Sequence, residues 1–439
     1  MLKRRIASLA VLTVALSVFV AFVVLTVMHG LVSGFKDANH AFVGDCVVST
    51  ESLVGFAYYD ELIEKLEALP SVQSTSPVVK AYGLFKETGS GYGDGIEVMG
   101  IDPARHARVA DFTGFLQYRS GQIESLFDVT GDVNRPGCAF GVDKVLDRDQ
   151  NGDYPFSDYL WPREYDITCF PLKANGTLKR SGVGEVSTRR FVLTDTVHSG
   201  LAKKDSQVMY MALNEAQQLS GMDLPVPRIS AIHIRFIEDV PFKQGTQDVS
   251  EAFSEFRQDC SDRNLAFLLK TVRVQDWKRY CRDMIAPVEK EELALMFMFV
   301  LVGLTTVFIV LVIFHMIISH KSRDIGVLRS MGVSSPQIMG LYWTFSLLIG
   351  ALGAGAGLGG GWLFLSRINQ VEAWLFEKIH YQLFNRAMFA IDEIPHDIDT
   401  QMMVMIGLFA LLACWVGALI PAWQAARSQP IKTLQVSQL

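Results

Sequence analysis

The segment DRDQNGDYPFSD, residues 147–158, contains the side chains best suited to bind a metal ion. An EF-hand calcium loop has oxygen ligands at positions 1, 3, 5, 7 and 12, with a glycine at position 6. Gly152 stands at the sixth position of this segment. The ligand positions hold, in order, Asp147, Asp149, Asn151, Asp153 and Asp158. Position 12 argues against calcium, because it holds Asp, whose side chain is shorter than that of the Glu that usually binds there through both oxygens. We treat the segment as a candidate calcium site that would stiffen this section, with a solvated acidic turn as the alternative.

Other site chemistry has little support in the sequence. There is no HExxH zinc motif, no CxxC pair and no GxSxG motif in a supporting context, and the nine histidines are scattered. A P-loop, GxxxxGK followed by Ser or Thr, is also absent, so this chain cannot hold the phosphates of ATP by that device. The sequence therefore predicts that the chain is not an enzyme, and we expect neither a cofactor of its own nor a nucleic-acid partner.

The elements that would position any site are dominated by four apolar runs without Asp, Glu, Lys or Arg. About 20 such residues in a helix cross the hydrocarbon core of a bilayer. The runs are Ile6–Met28, Leu293–Ser319, Ile338–Leu365 and Met402–Ala426. The first follows three basic residues and could be a signal peptide, but its 23 residues exceed an ordinary signal core. We interpret it as an uncleaved anchor, which gives four transmembrane helices.

The basic residues set the expected orientation, because Lys and Arg accumulate in short cytoplasmic segments. Eight of the 40 basic residues and one acid lie in the N-terminus, the loop after His320 and the tail, which leaves 32 basic and 45 acidic residues elsewhere. Both termini and that loop should therefore be cytoplasmic. The predicted order is: 1–28 N-terminus and first span, 29–292 outer domain, 293–319 second span, 320–337 cytoplasmic loop, 338–365 third span, 366–401 outer loop, 402–426 fourth span, 427–439 cytoplasmic tail.

The large outer domain shows strand and helix patterns at both of its ends. Strand–helix–strand orders are predicted near 45–110 and again near 229–275, where the run Phe267–Val274 resembles a strand. The section between them is richer in Gly, Pro and polar residues. We predict an α+β domain whose two end parts come together around an inserted, mostly β section. Five of the six cysteines fall in this domain, where disulfides are permitted, but their pairing cannot be deduced.

The loop between the second and third spans has its own helical pattern. Ile325, Leu328 and Met331 are three residues apart and are predicted to share one helical face. Gly332 can end that helix in the left-handed conformation, and Ser335 with Pro336 can cap and begin the next one. Two interpretations follow from these residues: a helix resting on anionic lipid, or a docking element for a cytoplasmic protein.

The third span contains glycines at intervals of four, a spacing that lets helix backbones approach closely. One series is Gly353, Gly357 and Gly361, and a second is Gly355 and Gly359. We expect the first series to form a helix–helix interface, although a generic glycine-rich membrane helix is the alternative.

Two stretches resemble a known family. KSRDIGVLRSMGVSSPQI is similar to the coupling-helix loop of ABC permeases of the FtsX/MacB/Lol superfamily, in which an acid, Ile-Gly, Leu-Arg and a later Gly recur at this spacing. The matching positions are Arg323, Asp324, Ile325, Gly326, Leu328, Arg329 and Gly332. The tail PAWQAARSQPIKTL resembles the superfamily's C-terminal signature. Its matching positions are Pro421, Ala425, Arg427, Pro430 and Leu434. WKRYCRDMIAPVEKEELALMF, VMGIDP and VEAWLFEKIHYQLFNRAMFAIDEIP resemble the lipoprotein-releasing LolC/LolE-type branch, whereas 145–190 has no such resemblance.

The resemblance implies a function in the bacterial inner membrane. The loop would couple to a separate cytoplasmic ABC ATPase dimer that binds ATP and Mg²⁺, and a second permease chain, identical or related, would complete the transporter. Release of lipoproteins from the membrane lipid to a periplasmic carrier is the function it favours. The alternatives are mechanical driving of an efflux duct or a cell-wall hydrolase, as in MacB- and FtsX-type proteins, and a non-transporting sensor or scaffold.

Overall fold

The computed structural model describes residues 2–89, 93–129, 135–146, 154, 163–179, 186–379 and 399–427. The helices are α1 Leu2–Val43, α2 Tyr59–Glu67, α3 Pro103–Val109, α4 Ala202–Gln207, α5 Leu213–Ser220, α6 Phe242–Asp259, α7 Ala266–Leu269, α8 Trp277–Tyr280, α9 Arg282–His320, α10 Ser322–Ser330, α11 Ser335–Leu365, α12 Ile368–Ile379 and α13 Thr400–Arg427. The strands are β1 Cys46–Ser49, β2 Phe56–Ala57, β3 Val72–Glu87, β4 Gly93–Ile101, β5 Gly137–Gly141, β6 Glu164–Cys169, β7 Ser187–Val197, β8 Val208–Ala212, β9 Arg228–Ile229, β10 Ala231–Phe236 and β11 Arg273–Asp276.

The predicted fold class is confirmed. Among the described residues, four helices are long and apolar enough to cross a membrane, namely Ala7–Val43 of α1, α9, α11 and α13. A β-rich domain with helices lies between the first and the second of them. The chain divides into two compact units. The outer unit is Phe35–Ala286, and the membrane unit contains the first 34 residues and most of the chain from Pro287 onward.

Helices α1 and α9 continue past their apolar runs. The 42 residues of α1 amount to about 63 Å of helix, roughly twice the thickness of a bilayer core. The helical hydrogen bonding of α1 and α9 continues beyond the apolar runs into polar sequence. The boundaries between the two units therefore fall inside these helices, at Phe35 and Ala286, rather than at the ends of the runs. Just beyond those runs, His29 Nδ1 of α1 lies 3.2 Å from Glu292 Oε1 of α9.

In the described part of the outer unit, nine strands form one sheet in the order β11-β1-β10-β3-β4-β8-β5-β7-β6. Strand β3 is long enough to pair twice along one side. Its first part pairs with β10, and its last part, Gly83–Glu87, pairs with Cys169–Tyr165 of β6. This second pairing closes β3, β4, β8, β5, β7 and β6 into a ring. A Cβ on Gly83 would lie 2.6 Å from the carbonyl oxygen of Thr168, so the ring can close only over a glycine.

The section predicted as a separate β insertion belongs to this same sheet. It supplies four of the six strands of the ring, namely β5, β6, β7 and β8, and inward side chains such as Phe140, Ile167 and Phe191 join the main core. The strand predicted at Phe267–Val274 is wrong in its first half, which is the short helix α7. Leu268 and Leu269 are both buried, and a helical turn can bury two consecutive side chains that a strand would point to opposite faces.

Candidate functional site

The predicted coupling loop folds as the short helix α10 between the second and third spans. A single residue separates α10 from α9. The backbone N–H of Lys321 donates to the carbonyls of Ile317 at 2.9 Å and Ile318 at 3.1 Å, and Ile325 N–H donates to the Lys321 carbonyl at 3.0 Å. The change of direction therefore costs few backbone hydrogen bonds, and α10 is held directly on the end of the second span.

The far end of α10 closes with a Schellman motif, as the position of Gly332 predicts. Gly332 has a φ of +91°. Its N–H donates to the Arg329 carbonyl at 3.0 Å, and Val333 N–H donates to the Leu328 carbonyl at 3.2 Å. These are the two bonds that satisfy the last carbonyls of a helix. A Cβ at position 332 would meet no atom within 4 Å, so the left-handed backbone alone favours glycine there.

The third span begins one residue earlier than predicted, because Ser334 rather than Ser335 is its cap. Ser334 N–H donates to Gln337 Oε1 at 3.0 Å, one half of a capping box between these residues. The Ser-x-x-Gln spacing was the signal that sequence reasoning missed. Ser335 instead accepts a hydrogen bond from Arg329 Nη2 at 2.8 Å and ties the end of α10 to the start of α11. Pro336 lies in the first turn, where a missing N–H costs nothing.

The predicted common face of α10 is split in the structure. Ile325 is 3% exposed and packs in the core of the membrane unit, whereas Leu328 is 36% and Met331 77% exposed. Residues three apart differ by about 60° around a helix, so the first and third members of the series diverge by about 120°. Val327, absent from the prediction, is also exposed. The loop thus presents an apolar tip formed by Val327, Leu328 and Met331.

The charges around this tip are mostly exposed. Lys321 Nζ lies 2.5 Å from Asp324 Oδ2, with side chains 45% and 58% exposed, so this pair contributes little to stability. Arg329 is half-buried and bonded to Ser335. The side chain of Arg323 lies outside the described residues. The loop therefore combines an apolar tip with cations at its base, a surface suited to a partner with an apolar pocket and acidic rim.

The first glycine series of the third span lies against the first span. A Cβ on Gly353 would be 2.8 Å from Val14 Cβ, one on Gly357 would be 2.5 Å from the Ala15 carbonyl oxygen, and one on Gly361 would be 2.6 Å from Phe22 Cδ1. No larger residue fits at these points without moving α1. Positions 355 and 359, by contrast, have no atom within 4 Å of such a Cβ. The two series therefore face different surroundings.

Helix α13 packs closely on α11 and α9 and contains part of the C-terminal motif. Ser346 Oγ of α11 donates to the Cys414 carbonyl at 2.6 Å, and a Cβ on Gly417 would lie 2.8 Å from the Val307 carbonyl oxygen. Pro421 and Ala425 are buried inside the unit. The guanidinium of Arg427 lies 4.1 Å from the ring centre of Trp423. Pro430 and Leu434 lie outside the described residues.

The candidate calcium ligands also lie outside the described residues, and this hypothesis stays a prediction. The positions concerned are Asp147, Asp149, Asn151, Asp153 and Asp158. Within the segment only Tyr154 is described, and its hydroxyl donates to Asp143 Oδ1 at 2.6 Å. Across the described part of the chain, no three His, Cys, Asp or Glu side chains are grouped so that they could hold a metal ion. All six cysteines are free and buried.

Comparison with known proteins identifies the membrane unit. Residues 296–430 match the FtsX-like permease C-terminal family. LolC of the lipoprotein-releasing system of Neisseria meningitidis serogroup B is 21% identical over 427 residues, which cover 96% of this chain and 92% of that protein. Residues 296–430 therefore carry an FtsX-like permease domain, and the chain is similar over nearly its whole length to a LolC-type permease. It is thus an ABC transporter permease, a membrane subunit of the bacterial inner membrane.

Other relatives of this permease match over shorter stretches. LolC of Xylella fastidiosa strain 9a5c is 26% identical over 162 residues, which cover 37% of the permease and 39% of that protein. LolC of strain Temecula1 matches over the same shares. Among solved structures, the periplasmic region of MacB from Actinobacillus actinomycetemcomitans covers 56% of the permease and 95% of its own chain, with 12% identity and a TM-score of 0.31.

Proposed function

We propose that this permease couples ATP hydrolysis by a separate ABC ATPase to the release of lipoproteins from the inner membrane. The observation that carries the proposal is the build of α10. It is capped at one end, joined to the second span by one residue at the other, and anchored by Ile325. When a helix is held in this way, a force that acts on its apolar tip is transmitted directly to the second and third spans.

The cargo is inferred from the relatives, whose names describe a lipoprotein-releasing system. Physical chemistry explains why such a step would need ATP. Each buried CH₂ of an acyl chain contributes about 0.8 kcal/mol, so a protein with several acyl chains is held in the bilayer by tens of kcal/mol. Spontaneous release would be negligible, and an energy source on the other side of the membrane must act through the spans.

The proposal includes an orientation and an assembly. The basic flanks support a cytoplasmic location for both termini and α10 and a periplasmic location for the outer unit. An ATPase dimer would then bind two permease chains, one apolar tip on each. A soluble periplasmic carrier would receive the lipoprotein, because an exposed acyl chain returns to the bilayer unless it is covered.

The test replaces Leu328 and Arg329 with Glu in the same chain. We expect loss of the co-purifying ATPase and of lipoprotein release from proteoliposomes, since two carboxylates then stand in the apolar tip and its cationic base. Ser335→Ala is the matched control, because it removes the bond to Arg329 but keeps the charge and the tip, and it should retain both activities.

The outcomes separate the parts of the proposal. A doubly substituted chain that still holds its ATPase would show that α10 is not the coupling element. A native complex that hydrolyses ATP but releases no lipoprotein would exclude this cargo and favour mechanical driving of another periplasmic partner.

A further inference from the structure

A buried acid lies where the first helix ends and the outer sheet begins. Asp45 is 4% exposed and follows α1 by one turn residue, Gly44. Its Oδ1 accepts a hydrogen bond from His40 Nε2 at 2.6 Å and lies 3.6 Å from Arg235 Nη1. Its Oδ2 accepts the backbone N–H of Phe236 at 2.7 Å. One carboxylate thus links the end of α1 to the end of β10.

The backbone of the same residue makes two further links. Asp45 N–H donates to the Ile234 carbonyl at 2.8 Å, and the Asp45 carbonyl accepts the N–H of Trp277 at 3.1 Å. Trp277 is the first residue of α8 and is 6% exposed, and its ring stacks on that of His40 with 4.8 Å between centres. We call His40, Asp45, Arg235 and Trp277 the junction cluster.

The junction cluster occupies a special place in the chain path. The chain enters the outer unit at Phe35 within α1 and leaves it at Ala286 within α9, which α8 precedes by one residue. The cluster therefore joins the incoming and outgoing segments to each other and to the sheet. Most hydrogen bonds and contacts of the cluster join residues that are far apart in sequence, so they connect different segments of the chain.

The surroundings make this joint stiff. Gly44 has a φ of +79°, and a Cβ there would lie 2.9 Å from the Ile234 carbonyl oxygen, so the turn is both left-handed and tightly enclosed. Helix α8 has a second attachment to the sheet, where Lys80 Nζ contacts the Tyr280 hydroxyl and lies 4.8 Å from the ring centre. These contacts attach the two helical segments to β3 and β10.

We infer that the junction cluster is the joint through which movement of α1 and α9 is transmitted to the outer sheet, with Asp45 as its positioning residue. The inference rests on the proposed coupling to an ATPase but not on the nature of the cargo. It requires that the two segments and β10 move as one body. Removing the Asp45 charge should weaken the attachment of the two segments to β10, while leaving the spans and α10 unaltered.

The experiment uses the full-length permease with its ATPase in lipid nanodiscs. Hydrogen exchange of peptides covering β1 and β10 is measured without nucleotide and after trapping with ATP and vanadate. We expect a nucleotide-dependent difference in the native complex and its loss in Asp45→Asn, with the ATPase still bound. If Asp45→Asn does not accumulate, His40→Phe replaces it, since this change removes the bond to Asp45 and keeps a ring against Trp277.

Asp195→Asn is the matched control for a merely structural effect. Asp195 is a buried acid in the same unit, and it accepts the backbone N–H groups of Tyr118, Arg119 and Thr196 at 2.7–2.9 Å. These backbone groups lie outside the junction cluster, so the replacement of Asp195 should lower the melting temperature but preserve the nucleotide-dependent difference.

Each outcome bears on the inference. An Asp45→Asn complex that responds to nucleotide like the native one overturns the joint and leaves the proposed function standing. Equal loss of the response in Asp195→Asn also overturns it, because general destabilisation would then be the cause. A native complex without any response overturns the coupling to the ATPase, and the joint with it.

Discussion

Acid should destabilise the outer unit through a buried histidine of α3. His106 of α3 is 1% exposed, its Nδ1 lies 3.1 Å from Ser76 Oγ, and its ring is 5.2 Å from that of Phe112. Burial lowers the pKa of His106 from 6.5 to about 4. The neighbouring His233, whose ring nitrogens have no hydrogen-bond partner within the described structure, has its pKa lowered well below 6.5 for the same reason.

The size of the effect follows from the two pKa values of His106. The unfolded chain takes up its proton near pH 6.5 and the folded chain only near pH 4, so stability is complete above pH 6.5 and is lost as the pH falls between these values. The full loss is on the order of 3 kcal/mol, of which roughly 2 kcal/mol falls between pH 7 and pH 5. Carboxyls with ordinary pKa values of about 4 titrate mostly below this window.

The assay is thermal unfolding of the outer unit in the full-length protein at pH 7, 6 and 5. A loss of roughly 2 kcal/mol corresponds to about 4–8 °C in the melting temperature of a unit of this size. His106→Asn keeps a polar partner for Ser76 but cannot titrate, so it should be less stable at pH 7 and show a smaller fall toward pH 5. His320→Asn changes an exposed histidine and should behave like the native chain. An undiminished fall in His106→Asn would refute the assignment.

Three further predictions concern packing, a buried charge and topology. Gly357→Leu should reduce the yield of monodisperse protein in detergent, because its side chain would enter the backbone of α1, whereas Gly359→Leu should not. Arg228→Met should destabilise the outer unit by about 3–5 kcal/mol in thermal unfolding at pH 7, since three backbone carbonyls lose a buried guanidinium, and a loss under about 1 kcal/mol would contradict this. In intact cells, a membrane-impermeant thiol reagent should label a cysteine at Asn175 but not one at Ser322, and the reverse would invert the proposed orientation.

The parts of the fold that sequence reasoning predicted are those with a strong local constraint. A bilayer allows only helices whose backbone bonds are satisfied internally, so the uncharged runs identify the spans. Gly332 and Pro336 likewise mark the end of α10 and the start of α11, because each fixes its own backbone angles. Where two serines were adjacent, the choice between Ser334 and Ser335 depended on the side chain of Gln337, three residues further on.

The parts that could not be predicted depend on contacts between distant residues. Pairing of β3 with β6 joins segments about 80 residues apart, and no local pattern indicates such a partner. The same holds for the buried polar residues. Asp45, His106 and Arg228 resemble surface residues by type, since charged side chains are seldom fully buried, and only the structure shows what surrounds them. The split face of α10 arose in the same way, from packing that spacing alone does not determine.

The ring of six strands also affects how the outer unit behaves toward other chains. An exposed strand edge offers unpaired N–H and C=O groups that recruit strands from neighbouring molecules. Because β6 pairs with β3, every strand in the ring has a neighbouring strand on both sides. Among the strands of the described sheet, a free edge is therefore found only in the arm formed by β10, β1 and β11. That arm ends in β11, only four residues long. The ring therefore leaves few strand edges to which another chain could add, and replacing Gly83 would expose edges of β3 and β6 at once.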